Sequence, residues 1–141
     1  MTKKLKVVII DDNDIFREGL RFFIENKTDW EIIQEETSGG EFLKQNYKQQ
    51  ADVILLDINM LKLNGIDTVV QYFDKNAPTP TKVLAITSHL SDFQLQRLIV
   101  AGFSGYILKK DIYKYLKEAV EQVIEGRVYF HQYINKNNFN S

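Results

Sequence analysis

Apolar residues in this chain fall into two alternating arrangements: short unbroken runs, and stretches where they recur every three or four positions. The first kind reads as strands buried on both faces, the second as helices with one apolar side. Leu5 to Ile10 is the first strand, and Ile15 to Glu25 a helix with Phe16, Leu20, Phe23 and Ile24 at helical spacing. Trp30 to Glu35 is a weaker strand whose polar ending places it toward a sheet edge. Ser38-Gly39-Gly40-Glu41 has the form of a capping box and opens a short helix with Phe42, Leu43 and Tyr47. Val53 to Leu56 is the third strand, and Ile66 to Phe73 a third helix broken before Pro78 and Pro80. Lys82 to Ile86 is the fourth strand, ending at Thr87-Ser88; Ser91 to Gln94 caps a fourth helix with Leu95, Leu98 and Ile99 inward. Gly105 to Leu108 is the fifth strand and ends at Lys109. Asp111 suits the N-cap of a last helix with Ile112, Leu116, Ala119, Val120, Val123 and Ile124 on one side and Gly126 at its end. From Asn135 on the chain is asparagine-rich and reads as frayed.

Strands and helices in strict alternation imply an α/β fold with an open parallel sheet covered on both faces. Right-handed crossovers make it doubly wound, and such sheets carry their sites at the carboxyl ends of the strands, at the switch point in strand order. The acids of this chain fall there. Val7-Val8-Ile9-Ile10 stops at Asp11-Asp12, and Val53-Ile54-Leu55-Leu56 stops at Asp57. Thr87 and Lys109 close the fourth and fifth strands.

Composition narrows the class without changing this picture. At 141 residues with 44% hydrophobic content, the chain suits one domain with a real core. It has no cysteine, which excludes disulfides and thiolate metal sites. A net charge of -1 leaves no global basic footprint for nucleic acid. No stretch is long and apolar enough for a membrane span, and the apolar run after Met1-Thr2-Lys3-Lys4 is too short for a signal peptide. The expected state is a soluble cytoplasmic domain with no membrane association.

Carboxylates converging in one cleft repel one another unless a cation lies among them. Oxygen ligands without nearby cysteine or histidine favour magnesium, with manganese able to substitute. Such an ion would also bind an incoming phosphoryl oxygen, Lys109 suits a second and the Thr87 hydroxyl a third. Alone, Asp57 is compatible with a cap, a ligand or a nucleophile. With the other groups in register it reads as a nucleophile that takes up a phosphoryl group.

The acidic pair Asp11-Asp12, Asp57 followed by Asn59-Met60 and Gly65, Thr87-Ser88, and Gly105-Tyr106-Ile107-Leu108-Lys109 resemble the receiver domain of a two-component response regulator. Within receivers, Asp11-Asp12-Asn13-Asp14, Arg17-Glu18-Gly19-Leu20 and the ending Glu125-Gly126-Arg127-Val128-Tyr129-Phe130 resemble regulators with a C-terminal helix-turn-helix output domain. The resemblance implies a flavodoxin-like (βα)5 domain over residues 1–126 with strand order 2-1-3-4-5, residues 127–141 being an extension or the start of a linker. It implies a signalling switch rather than an enzyme, its chemistry limited to self-phosphorylation and autodephosphorylation. Asp57 would accept a phosphoryl group from a sensor histidine kinase. Asp12 would bind Mg2+ directly, Asp11 mainly through water, and Asn59 through its backbone carbonyl. Thr87, with Ser88 beside it, and Lys109 would hold phosphoryl oxygens, and Tyr106 would be the switch aromatic. Homodimerisation on phosphorylation is expected, with DNA reached only through an output domain. A stand-alone receiver acting by protein contact or in a phosphorelay is the alternative.

Two positions depart from the family pattern: Leu61, where many receivers have proline, and Lys110, where most have a proline after a cis peptide. A cis bond before Lys110 would cost roughly 3 kcal/mol, so a looser loop is expected there. Aspartyl-phosphate phosphatases usually carry a second acid two residues after the nucleophile; here that position is Asn59, which argues for the switch. A nucleotide- or flavin-binding domain of similar architecture would want glycine, not acids, after the first strand. His89 either overlooks the phosphoryl site or is a solvated loop residue. Phe103, Tyr113 and Tyr115 either pack the core and rim or line a partner face near Tyr106.

Overall fold

Alternate residues of each buried strand point to opposite faces, so each apolar run supplies two separate cores. The computed structural model describes residues 4–44, 50–60 and 64–130. Tyr47, Leu61 and the segment from Asn135 lie outside the described residues. The strands are β1 (Lys6–Ile10), β2 (Glu31–Glu36), β3 (Val53–Asp57), β4 (Lys82–Thr87) and β5 (Gly105–Leu108). The helices are α1 (Asp14–Lys27), α2 (Gly39–Lys44), α3 (Gly65–Asn76), α4 (Asp92–Ala101) and α5 (Ile112–Ile124). The sheet is parallel in the order β2-β1-β3-β4-β5, as the resemblance implies.

Val7, Ile9, Val53, Leu55, Leu84, Ile86 and Ile107 pack with α1 and α5 on one face. Val8, Ile10, Ile54, Leu56, Val83, Ala85 and Tyr106 pack with α2, α3 and α4 on the other. β3 is buried at every position, as its unbroken apolar run requires. β2 lies at one edge and is only half-buried, matching its weaker pattern. Among the described residues no helix is long and apolar enough to cross a membrane.

The helix starts follow local chemistry. Asn13 caps α1, its side chain accepting the Phe16 N–H, and Asn64 caps α3 through the Asp67 N–H. Ser91 and Gln94 form the expected capping box of α4, and the Ser38 hydroxyl accepts the Glu41 N–H at 3.1 Å. α3 ends at Asn76, with Ala77 turning to extended backbone ahead of Pro78.

Three local expectations are corrected. Ile99 is 54% exposed, because the inward stripe of the short α4 is centred on fully buried Leu98. Ile124 lies at the rim of the α5 stripe and is partly exposed. Asp111 holds the cap position of α5 but makes no side-chain cap hydrogen bond. The chain enters α5 through a 3-10 turn, Lys109–Asp111, in which the Ile112 N–H already bonds to the Lys109 carbonyl. A backbone acceptor does there what a capping side chain otherwise would.

Beyond Gly126 the chain returns to the sheet. Tyr129 forms a parallel bridge with Gly105; its N–H donates to the Ser104 carbonyl at 2.7 Å, and its carbonyl accepts the Tyr106 N–H at 3.1 Å. Its side chain is fully buried in the α1/α5 core and its hydroxyl donates to Glu118 at 2.7 Å. The neighbouring Phe130 ring meets Tyr106 on the opposite face, 6.2 Å between centroids. Gly105 has to be glycine for this approach, since a Cβ would stand 2.4 Å from the Tyr129 carbonyl oxygen. The edge of β5 is thereby covered by the chain's own extended segment.

Candidate functional site

Strand parity decides which side chains meet at the carboxyl edge. Asp11 follows Val7 and Ile9, Asp57 follows Val53 and Leu55, and Lys109 follows Ile107. All three continue the rows that face α1 and α5. The pairing of Ile10 with Leu56 brings the next residues, Asp11 and Asp57, level with each other. Thr87 continues the other row, after Val83 and Ala85, on the side of α3 and α4 with Tyr106.

Asp11 and Asp57 are 1% and 3% exposed. Lys109 Nζ lies 3.2 Å from Asp11 Oδ2 and 3.2 Å from Asp57 Oδ2. It donates a hydrogen bond to Asp57; toward Asp11 it is an ion pair off hydrogen-bonding alignment. On a further side the ammonium lies 4.5 Å from the centroid of the Phe16 ring. Asp11 Oδ1 accepts the Asn13 N–H and Asp57 Oδ1 the Asn59 N–H, each at 2.8 Å. Arg17 Nη1 donates to the Asp11 carbonyl at 2.7 Å and also pairs with Asp14, tying the start of α1 to the end of β1. Gly65 opens α3 close under this loop, where a Cβ would stand 2.8 Å from the Asp57 carbonyl oxygen.

Burial raises the Asp11 carboxyl above the ordinary aspartate value, and the Asp57 charge adds to this. The Asn13 N–H and the Lys109 charge pull the other way without cancelling it. Burial alone would lower the Lys109 ammonium, but Asp11 and then Asp57 outweigh it, so its pKa is raised.

One lysine does not neutralise this cluster. Asp11, Asp12 and Asp57 each offer a carboxylate oxygen, and these lie within 4.8 Å of one another. Asp12 is exposed at the mouth and the other two are buried. Asp11 Oδ2 is buried and meets the Lys109 ammonium as its ion-pair partner, 3.2 Å away. Three converging carboxylate oxygens, two of them from buried residues and only one cation among them, fit a hard divalent cation.

The remaining candidates are arranged differently. The Thr87 side chain is buried, and its hydroxyl donates to the His89 carbonyl at 2.6 Å while accepting the Asn59 side-chain amide at 2.7 Å. Its donor is thus turned to its own loop. Ser88 and His89 are exposed, and His89 meets Thr87 through its backbone. Tyr106 is 3% exposed, and burial pushes its phenol up to about 12. Phe103 is buried in the same core, whereas Tyr115 packs on the opposite one and Tyr113 lies against Phe23 of α1. Phe103 therefore shares a face with Tyr106 as core packing, and Tyr113 and Tyr115 do not. The Lys109–Lys110 peptide is trans.

Sequence reasoning missed the contact of Phe16 with Lys109, reading Phe16 only as part of a helical stripe. It also gave Arg17 no bond of its own. The Phe16 contact and the Arg17 bond to the Asp11 carbonyl follow no spacing rule, whereas the i,i+3 spacing of Asp14 and Arg17 was the signal for their pair.

The description of the response regulator receiver domain matches residues 7–121. The chain is 33% identical over 138 residues to the transcriptional regulatory protein DegU of Brevibacillus brevis, an alignment covering 95% of this chain and 56% of that protein. The chain thus spans just over half the length of that relative. The fold is shared with a two-component response regulator of the LuxR family from Aurantimonas sp. SI85-9A1, with a TM-score of 0.84 at 23% identity over 97% of this chain and 99% of that one. It also matches the signal receiver domain of the putative response regulator NarL from Mycobacterium tuberculosis, with a TM-score of 0.80 at 26% identity over 89% and 100% of the two chains. With the receiver description spanning most of its length, this chain belongs to the response regulator receiver domains of two-component signalling.

Proposed function

We propose that the domain is a phosphorylation-activated switch in which Asp57 accepts a phosphoryl group from a sensor histidine kinase with Mg2+ bound. The observation that carries this reading is one lysine ammonium 3.2 Å from two buried carboxylates, with a third carboxylate oxygen, from Asp12, within 4.8 Å of theirs. Asp12 and Asp57 would hold the ion directly, Asp11 mainly through water, and Asn59 through its backbone carbonyl; Mn2+ could take its place. Such an ion supplies charge neutralisation for the incoming phosphoryl oxygens. An Asp57 oxygen forms the new bond to phosphorus as the phosphorus–nitrogen bond of the donor phosphohistidine breaks. The electron pair leaves with the imidazole, which takes a proton from water. Lys109, already beside Asp57, is placed to hold a phosphoryl oxygen without repositioning of the backbone.

Thr87 plays its part by leaving the His89 carbonyl and turning its hydroxyl to the phosphoryl group, with Ser88 beside it and Tyr106 reporting the change. The reaction serves signalling rather than turnover, and the phosphoryl group is lost slowly to water. The receiver is assigned to residues 1–126 and 127–141 to an extension or the start of a linker, of which Tyr129 and Phe130 pack back on the domain beside β5. Control of transcription would act through an output domain of the helix-turn-helix kind outside these residues, reached from the cytoplasm, with pairing of two receivers on phosphorylation. DegU, named as a transcriptional regulatory protein, supports that finer reading.

Incubation with a small phosphodonor and magnesium, followed by intact mass measurement, tests the proposal. One added phosphoryl mass is expected for the wild type and none for Asp57→Asn. A wild type that stays unmodified, or a mutant modified equally, refutes it.

A further inference from the structure

We infer that Phe16 is a positioning residue for Lys109, aiming the ammonium at Asp57 in a loop that lacks the usual proline. The kinetic part of this inference rests on the reading of Asp57 as the phosphoryl acceptor; the geometric part does not. Lysine has a long flexible stem, and its aim must come from what surrounds the ammonium. Here the ammonium lies 3.2 Å from both Asp11 and Asp57 and 4.5 Å from the centroid of the Phe16 ring. The two carboxylates alone would let it slide toward either acid or toward the exposed Asp12. The Phe16 ring face under the ammonium adds a third, attractive contact that restricts that movement.

The ring is itself held by the turn that holds Asp11. The Asn13 N–H donates to Asp11 Oδ1 at 2.8 Å, and the Asn13 side chain accepts the Phe16 N–H at 3.0 Å. Arg17, the next residue, anchors to the Asp11 carbonyl. Phe16 also packs against the α1/α5 core. Asp11 and the guiding ring are therefore tied together by the hydrogen bonds of one turn at the start of α1. Lys110 stands where a proline would constrain the loop from the β5 side, and the chain there runs as a 3-10 turn. The guidance comes from α1 across the cleft.

Phe16→Leu removes the ring but keeps an apolar side chain of helical preference; Phe16→Tyr keeps the ring face. A cation–π contact of a partly desolvated ammonium corresponds to roughly a 3- to 30-fold effect. The initial rate of Asp57 phosphorylation by a small phosphodonor at saturating magnesium should fall by that factor in Phe16→Leu and be retained in Phe16→Tyr. Melting temperatures of both variants serve as the check on folding. A second readout needs no phosphorylation: proton–nitrogen NMR of the lysine ammonium groups, with Lys109 assigned by its loss in Lys109→Arg. Ring shielding should place the Lys109 ammonium protons upfield, and Phe16→Leu should move them downfield. Equal losses of rate in the leucine and tyrosine variants, an unchanged rate in Phe16→Leu, or an ammonium signal that does not move overturns the inference. If the wild type takes up no phosphoryl group, the proposed function fails, and the ammonium signal alone decides the role of Phe16.

Discussion

The two halves of the site are built to different degrees of readiness. On the α1/α5 side, Asp11, Asp57 and Lys109 lie within 3.2 Å contacts and are held by backbone N–H groups from their own loops. On the α3/α4 side, Thr87 has its hydroxyl committed to the His89 carbonyl, and Tyr106 lies buried under Phe130. The difference teaches that chemistry and response are separable here. The charge cluster depends on strand register and short loops, whereas Tyr106 packs against the segment after α5 and Thr87 is held by His89 and Asn59. A phosphoryl group on Asp57 would meet a finished cluster and would have to reorganise the other half.

The sharpest way to break the comparison is Gly105→Ala. Its Cβ would collide with the Tyr129 carbonyl and lift the Arg127–Phe130 segment from β5. Overpacking of this kind costs roughly 1–3 kcal/mol. Amide hydrogen exchange should quicken at Tyr106 and Tyr129, while magnesium affinity stays at the wild-type value. A fall in magnesium affinity of the same size as the loss of stability would show that the two halves are not separable.

Lys109→Met should act in the opposite sense. It leaves Asp11 and Asp57 facing each other without a cation, at a cost of about 2 kcal/mol in metal-free protein, since the lysine is partly exposed and the full penalty for breaking a buried pair does not apply. Magnesium should restore much of that loss, because the ion takes over the neutralisation. Urea unfolding with and without magnesium reads both numbers, and exchange at Tyr106 should be unchanged.

Asp11→Asn should have the smallest effect, and a stabilising one. The ionised Asp11 carboxylate is disfavoured in the fold, its pKa being raised above 3.8 by burial first. An acid whose folded pKa is raised costs stability as pH climbs through its unfolded pKa toward its folded one, and costs nothing below both. The variant should therefore gain stability at neutral pH without metal, and nothing in acid below the unfolded value. With saturating magnesium the gain should vanish or reverse. Thermal melts across pH with and without magnesium check the sign.

The apolar runs and capping residues were enough to read all five strands and the helix starts at Ser38 and Ser91, because strand burial and caps are local. The acids and Lys109 could be located at strand ends for the same reason. Ile99 and Asp111 were misread where geometry depends on neighbours: the short α4 turns Ile99 outward, and a 3-10 turn supplies the backbone acceptor that Asp111 was expected to replace.

By itself, then, the chain determined the order of its elements, the parity that sends Asp11, Asp57 and Lys109 to one face, and the chemistry those groups can share. Periodicity and residue type carry that much, because side-chain direction in a strand follows from position alone. Only the tertiary structure decided that the Phe16 ring lies against Lys109, that the Thr87 hydroxyl turns to His89, and that Tyr129 and Phe130 return to cover β5. Those contacts join residues from separate elements, and their geometry is set by how the layers pack rather than by any local pattern.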